Sequence, residues 1–160
     1  MKTKILEILE KNSKLSTSDI AKMLSVNEKE VIKCVGELEA DHVICGYSAV
    51  INWNKVNEEK VDALIELKVI PQKGTGFDRI AMRIAKFDEV DSIYLISGGY
   101  DFLVQINGRS MKEVSQFVFD KLSTLDAVQS TATHFVLKKY KDHGISLEGK
   151  KESKRENVIL

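Results

Sequence analysis

The sequence predicts an α+β fold in which three short helices precede a βαββαβ domain. Two observations along the 160 residues predict it. Apolar residues recur at the helical spacing up to about residue 41, and from Val61 onwards they alternate with polar residues, as in half-buried strands. The order strand, helix, strand then occurs twice, over residues 61–97 and 101–137.

The first fifty residues contain the three predicted helices. The first covers about residues 2–12, and the second follows the capping sequence Ser16-Thr17-Ser18-Asp19. The third covers about residues 28–41, with Asn27 as its N-cap. Two helices joined by a tight turn are typical of a helix-turn-helix, although a plain three-helix bundle would show the same periodicities. The β-rich residues 43–51 come directly after the third helix and predict a wing, and hence a winged helix-turn-helix.

Residues 61–140 predict a ferredoxin-like domain. Strands are expected at residues 61–71, 93–96, 102–106 and 128–137, helices at 77–84 and 110–125, and a loop at 73–76. This βαββαβ order gives a four-stranded antiparallel sheet with both helices on one face. The second and third predicted strands, at Tyr94–Ile96 and Phe102–Ile106, carry bulky apolar residues on both faces, so we expect the open face of the sheet to mediate self-association.

Charge is distributed unevenly over the predicted segments. These are a winged helix-turn-helix domain at 1–51, a linker at 52–60, the ferredoxin-like domain at 61–140 and a flexible charged tail at 141–160. The 24 basic and 24 acidic residues cancel in sum. Residues 1–52, however, contain no arginine and carry a net charge of −1, while residues 53–137 carry −2 and residues 138–160 carry +3. The positive tail either contacts DNA phosphates or an acidic neighbouring subunit, or is simply solvated.

Several classes of protein are excluded by composition. Two cysteines cannot form a disulfide framework, no signal peptide is recognisable, and no apolar run approaches the ~18 residues of a membrane span. We therefore expect a cytoplasmic protein with no membrane segment. Cys34, His42 and Cys45 lack the spacing of a zinc site, and no nucleophile–base pair is evident. We expect no metal, no cofactor and no catalytic residue.

Three stretches of the sequence resemble the Lrp/AsnC (feast/famine) family of prokaryotic transcriptional regulators. Leu38-Glu39 followed by Val43-Ile44-Cys45-Gly46-Tyr47 is similar to the family's LE…GxIxGY stretch. Ser97-Gly98-Gly99-Tyr100-Asp101 is similar to its SGxYD hairpin, and residues 128–137 resemble its last strand, VxxTxTxxVL. The resemblance covers about residues 1–140.

This resemblance implies a regulator that binds double-stranded DNA through its first domain. The second domain is then expected to sense a small-molecule effector, commonly an amino acid. Family members form homodimers that often assemble into octamers or similar rings. Effectors bind between the dimers and change assembly or DNA affinity.

The third helix departs from the family pattern on its DNA-facing side. Where the family usually has arginines, this sequence has Cys34, Gly36 and Glu37. His42 stands where the family ends the helix with glycine, a position that commonly needs a positive φ. We expect one dimer to bind DNA weakly and with strong salt dependence, and an oligomer to compensate. Unless this is only a solvated polar helix face, the predicted DNA-facing residues are Asn27, Glu28, Lys29, Ile32, Lys33 and Gly36.

The segment between the two central strands predicts the effector site. Asp101 can accept hydrogen bonds from an effector's ammonium group, glycine amides can donate to its carboxylate, and Tyr100 can cover it. The alternative is that Gly98 and Gly99 only form a hairpin turn. His134 is interpreted as structural. The predicted effector-binding residues are Gly98, Gly99, Tyr100, Asp101, Gln129 and Thr131.

Three functions compete at this point. The first is a DNA-binding regulator controlled by an effector, and the second is an effector-binding oligomerisation module with little DNA affinity of its own, acting beside a paralogue. The third is an enzyme, because sirohaem decarboxylases resemble this family in fold. A tetrapyrrole with several carboxylates calls for clustered Arg and His residues. The second domain has only four of them, so we expect no enzyme. They are Arg79, Arg83, Arg109 and His134.

Overall fold

The computed structural model describes residues 1–58, 60–71 and 76–148. The chain divides between Val50 and Ile51 into two compact units. Within the described residues, no helix is long and apolar enough to cross a membrane.

The first unit contains the three predicted helices, α1 (Lys2–Lys11), α2 (Thr17–Leu24) and α3 (Glu28–Ala40). Each agrees with its predicted range to within one or two residues. The apolar stripe of every helix contributes to one small core, whose fully enclosed members are Ile5, Ile20, Ala21, Val31, Cys34 and Leu38. Cys34 is therefore a core residue, whereas Cys45 is exposed.

Left-handed residues end both helices of the helix-turn-helix. Ser25 follows α2 with φ 54°, and the Val26 amide donates to the Ala21 carbonyl. His42 follows α3 with φ 53°, as predicted for the position where the family has glycine. The Val43 amide then donates to the Leu38 carbonyl at 2.9 Å, and the His42 amide donates to the Glu39 carbonyl at 3.1 Å. This pair of bonds is the Schellman motif, which normally has glycine at its left-handed position.

The structure has no β-strand in the segment predicted as a wing, residues 43–51. Residues 45–52 contain no strand. A β-rich stretch needs a second strand to pair with, and the first unit otherwise consists of helices. A side-chain hydrogen bond joins the segment to α3: the Tyr47 hydroxyl donates to Glu39 Oε1 at 2.8 Å. The pKa of Tyr47 is raised, chiefly because this hydrogen bond favours the protonated phenol.

The second unit is built on a four-stranded antiparallel sheet in the order β2-β3-β1-β4. Its elements, β1 (Val61–Val69), α4 (Asp78–Ile84), β2 (Val90–Leu95), β3 (Phe102–Gly108), α5 (Met111–Phe117) and β4 (Val128–Phe135), occur in the predicted βαββαβ order. A π-helical turn at Val118–Leu122 extends α5. Most of the predicted loop at 73–76 lies outside the described residues.

Both helices pack on one face of the sheet. Alternate residues of the central strands, such as Ile65 of β1 and Val104 of β3, are fully buried there against Ile84 and Leu122. The last residue of β3, Gly108, lies close to α5, which leaves no room for a side chain. A Cβ at that position would lie 2.8 Å from Cγ2 of Val114.

The other face of the sheet carries a short apolar strip among polar side chains. Tyr94 of β2 pairs with Leu103 of β3, and Leu64 of β1 and Ala132 of β4 share that face. Tyr94 is 52% exposed. Polar residues interrupt the strip because alternate positions of β1, β3 and β4 bring Glu66, Gln105 and His134 to the same side. The prediction of an apolar open face is thus met only along this strip.

Residues 141–146, predicted as the start of a flexible tail, instead form a hairpin of β5 (Lys141–Asp142) and β6 (Ile145–Ser146). Its turn is made by His143 and Gly144, both with positive φ. The hairpin is joined to the predicted linker, because Asn52 Nδ2 donates to the Leu147 carbonyl at 2.6 Å. No periodicity predicts this hairpin, because each of its strands has only two residues. The rest of the predicted tail, from residue 149, lies outside the described residues.

Candidate DNA-binding surface and effector site

Side chains cap the N-termini of both helices of the helix-turn-helix, α2 and α3. The Ser16 hydroxyl accepts from the Asp19 amide at 3.1 Å, and Asp19 Oδ2 accepts from the Ser16 amide at 3.2 Å. These bonds form the predicted capping box. The Ser16 hydroxyl also donates to Asp19 Oδ2 at 2.6 Å, and this bond, followed by the one from the Ser16 amide, lowers the pKa of Asp19. Asn27 Oδ1 accepts from the Lys29 amide at 2.9 Å and starts α3.

All six predicted DNA-facing residues are exposed: five share one side of α3, and Asn27 is its N-cap. The opposite side packs into the core through Val31, Cys34 and Leu38. Ile32 is 53% exposed and is the one apolar side chain among the six. A Cβ added at Gly36 would meet no atom within 4 Å, so this end of the surface is open. We call the exposed side, Asn27, Glu28, Lys29, Ile32, Lys33 and Gly36, the α3 face.

Three carboxylates of α3 are engaged by other residues of the same unit. Glu37 pairs with Lys2 Nζ at 2.9 Å, which lowers the pKa of Glu37 and raises that of Lys2. Glu28 Oε1 accepts from the Thr17 hydroxyl at 2.9 Å, and Glu39 accepts from Tyr47. Sequence reasoning missed these partners, because their contacts bridge α1, α2 and the segment after α3.

Lys29 and Lys33 differ from these acids in having no ion-pair partner among the described residues. Both are exposed on the α3 face. Their ammonium groups are therefore free to approach a phosphate. Lys2 of α1 neutralises Glu37 in the C-terminal half of α3, a contact that the sequence did not predict.

The predicted effector residues lie at one end of the sheet. Gly98, Gly99 and Tyr100 form the turn between β2 and β3, while Gln129 and Thr131 lie near the start of β4. The strand β1 separates the two groups, which puts them roughly 10 Å apart, or two interstrand spacings. The structure thus brings them to the same end without direct contact.

Gln129 occupies an irregular position in that end of the sheet. Lys68 of β1 pairs with Ser130, but the next residue, Val69, pairs with Val128. Gln129 is the extra residue of a β-bulge, and it is exposed. Thr131 pairs with Leu67 on the helix-facing side of the sheet.

The two turn glycines are not required by their backbone geometry. Neither Gly98 nor Gly99 has a positive φ. A Cβ at Gly98 would lie 3.8 Å from Cγ2 of Ile96, an ordinary contact, and one at Gly99 would meet nothing within 4 Å. The turn that they form between β2 and β3 therefore does not by itself call for glycine at either position.

Asp101 is already engaged within the protein. Its Oδ2 accepts from the Val69 amide at 2.8 Å, and its Oδ1 lies 3.5 Å from Lys68 Nζ. Its side chain is only 19% exposed. The predicted role of Asp101 as an ammonium acceptor therefore has to compete with these two partners.

Models of two known domain families match the chain. A winged helix-turn-helix DNA-binding domain matches residues 2–44, and the Lrp/AsnC ligand binding domain matches residues 62–146. The chain belongs to the Lrp/AsnC family of transcriptional regulators. It therefore combines a DNA-binding helix-turn-helix with an effector-binding domain, and the resemblance seen in its three motifs is confirmed.

Relatives and solved structures agree with this membership. The uncharacterized HTH-type transcriptional regulator YugG of Bacillus subtilis is 51% identical over 154 residues, which cover 96% of this chain and 93% of YugG. The transcriptional regulator NMB0573 of Neisseria meningitidis, solved as a complex with L-Met, is similar with a TM-score of 0.69 and 26% identity. That match covers 88% of this chain and 90% of NMB0573. AsnC of E. coli has the same fold, with a TM-score of 0.63, 22% identity and coverage of 86% and 91%.

Proposed function

We propose that this Lrp/AsnC protein is a sequence-specific DNA-binding regulator that assembles through its second domain and responds to an amino acid. The α3 face carries the proposal. It offers polar side chains for base edges, an exposed isoleucine for a thymine methyl group and two lysines for phosphates. A protein with this role would act in the cytoplasm, where bacterial and archaeal DNA lies.

The effector assignment is supported by the turn at residues 97–101. Neither glycine is demanded by the backbone or by a close contact within the chain, and both leave the approach to their amides open. Main-chain amides without side-chain obstruction suit a carboxylate. The Neisseria neighbour was solved with L-Met, which makes L-methionine the first effector to test.

Assembly is supported by the openness of the same turn. Gly98 and Gly99 are exposed, whereas small-molecule sites usually bury 70–90% of their ligand. A second subunit placed over the turn would supply the missing enclosure. The apolar strip of Tyr94, Leu103, Leu64 and Ala132 gives a dimer a further surface to bury, and we propose a homodimer that assembles into an octamer or a similar ring.

One pair of measurements tests the proposal. Mobility shifts with the protein's own promoter DNA, titrated from low to physiological salt, should give a specific complex that weakens steeply with salt. Light scattering with and without each amino acid should show an oligomer whose mass or DNA affinity changes with one of them. A mass equal to one chain under all conditions would refute the assembly.

A second function is favoured by one specific observation. Residues 1–52 have no arginine and a net charge of −1, so bidentate guanine readout by arginine is absent from the DNA-binding unit. An effector-binding module that acts with a paralogue would have this property. The two functions differ in the mobility shift: the module shifts no DNA at low salt when alone, and does so after a paralogue is added.

A further inference from the structure

The effector turn is joined to the central strand by a single residue, Asp101. Its main chain makes two ladder bonds: the Asp101 amide donates to the Leu67 carbonyl at 2.9 Å, and its carbonyl accepts from the Ile96 amide at 2.8 Å. Asp101 thus links β1 on one side and the end of β2 on the other. It lies directly before β3, where the pairing of β1 with β3 begins at Leu67 and Phe102.

Its side chain continues that pairing by one more step. Oδ2 of Asp101 accepts from the Val69 amide at 2.8 Å, two residues beyond Leu67 on the same side of β1. The Val69 residue is 5% exposed, so its amide would otherwise lack a partner in a site with little access to water. The pairing of β1 with β3 ends at Leu67, so no main-chain carbonyl of β3 accepts from the Val69 amide, and the Asp101 carboxylate accepts in its place.

This bond lies at the bulge of the neighbouring strand. The register of β1 with β4 shifts between Lys68 and Val69, opposite Gln129. A bulge loosens the ladder locally and bends the strand. Asp101 binds Val69 from the side of β1 that faces β3, and the bulge at Gln129 lies on the side that faces β4. Val69 therefore lies between the turn at 97–100 and Gln129.

We infer that Asp101 is a positioning residue, which anchors the effector turn to Val69, and that it is not the acceptor of the effector's ammonium group. This rests on the proposed function, since it concerns the same effector site. The ion pair with Lys68 is secondary, because the two atoms are 3.5 Å apart and the lysine side chain is 43% exposed. A neutral acceptor in place of the carboxylate would serve as well.

The consequence is a specific difference between two substitutions. Asp101→Asn retains a carbonyl oxygen that can accept from the Val69 amide but removes the negative charge. Asp101→Ala removes both. If Asp101 anchors the turn, the anchor survives Asp101→Asn and is lost in Asp101→Ala. If the Asp101 carboxylate binds the effector's ammonium group, that charged contact is lost in both variants.

The experiment uses the full-length oligomer and two readouts. Hydrogen–deuterium exchange, resolved to the peptide that contains Val69, reports the anchor without any effector. Titration calorimetry with L-methionine, followed by the other proteinogenic amino acids, reports the site. Asp126→Asn is the matched control, because it makes the same charge change at an exposed residue that precedes β4.

We expect Asp101→Ala to speed exchange at Val69 at least tenfold and to weaken amino-acid binding at least tenfold. Asp101→Asn and Asp126→Asn should leave both within about threefold of the parent protein. Loss of binding in Asp101→Asn with Val69 still protected would overturn the inference, since a charged contact to the ammonium is worth about tenfold or more. Unchanged Val69 exchange in Asp101→Ala would overturn it as well.

Failure of the proposed function gives a different result. If the parent protein binds no amino acid, the amino-acid effector is refuted. The exchange of Val69 in the two variants still decides whether Asp101 anchors the turn. If Asp101→Ala does not fold, Asp101→Asn alone separates an anchor from a ligand.

Discussion

Lys33→Ala should halve the salt dependence of DNA binding. Lys29 and Lys33 are the exposed bases of the α3 face, and neither has an ion-pair partner among the residues that the structure describes. Each neutralised phosphate contributes about −0.9 to the slope of log affinity against log salt. Two lysines in each of two domains give a dimer a slope of about −3.6, and the variant a slope of about −1.8.

Those slopes predict affinities that can be measured directly. Between 50 and 200 mM salt, the parent dimer should lose affinity about 150-fold, and Lys33→Ala only about 12-fold. Fluorescence anisotropy with a labelled two-half-site duplex at four salt concentrations gives both slopes. Lys86→Ala, an exposed lysine of the other unit, is the control and should keep the parent slope.

The reasoning fails on either of two results. A Lys33→Ala slope equal to that of the parent would mean that Lys33 does not approach DNA and that the α3 face is only solvated. A parent slope much steeper than −4 would mean that bases outside α3 supply most phosphate contacts.

Three further changes test other parts of the structure. Asn52→Ala removes the bond to the Leu147 carbonyl, so about 1 kcal/mol of hairpin stability should be lost and proteolytic release of the C-terminus should rise about fivefold, with Asn54→Ala unchanged. His42→Gly removes the strain of a non-glycine residue in the left-handed conformation and should raise the free energy of unfolding by about 0.5–1 kcal/mol in urea titrations. A lower free energy of unfolding in the variant would show that this strain is absent. The pKa of Asp19 is lowered on folding, so the folded chain binds fewer protons in acid and stability falls as pH drops below about 4; Ser16→Ala should flatten this part of the Tm–pH curve.

Local patterns in the sequence predicted most of the fold. The helices of the first unit follow from capping residues such as Ser16 and Asn27, and the sheet order follows from two strand–helix–strand repeats. The strand expected in the wing at 43–51 does not form in this structure, because β propensity describes a residue's fit to a sheet and cannot supply the second strand. The hairpin at 141–146 was missed because strands of two residues have no period to detect.

Local sequence patterns also predict one part of the candidate sites and miss another. The exposure of Lys29 and Lys33 follows from helical spacing, which sequence alone supplies. The bond between Asp101 and Val69 does not, since it joins residues 32 apart through a bulge that has no signature in either strand. Contacts of this kind depend on strand register, which is set by the whole sheet.

The near balance of charge in this protein should lower the DNA affinity of a single domain, and the balance is visible at the α3 face. Lys2 neutralises Glu37, whereas Thr17 only donates a hydrogen bond to Glu28, so the α3 face keeps one acid beside its two lysines. A single domain then binds DNA at the weak end of non-specific affinities, with Kd on the order of 10⁻⁴ M. In an oligomer, a second domain meets the same DNA at an effective concentration of about 1 mM. Each further domain that reaches the DNA therefore strengthens binding about tenfold, and an effector that changes assembly thereby changes DNA affinity without altering a single contact of α3.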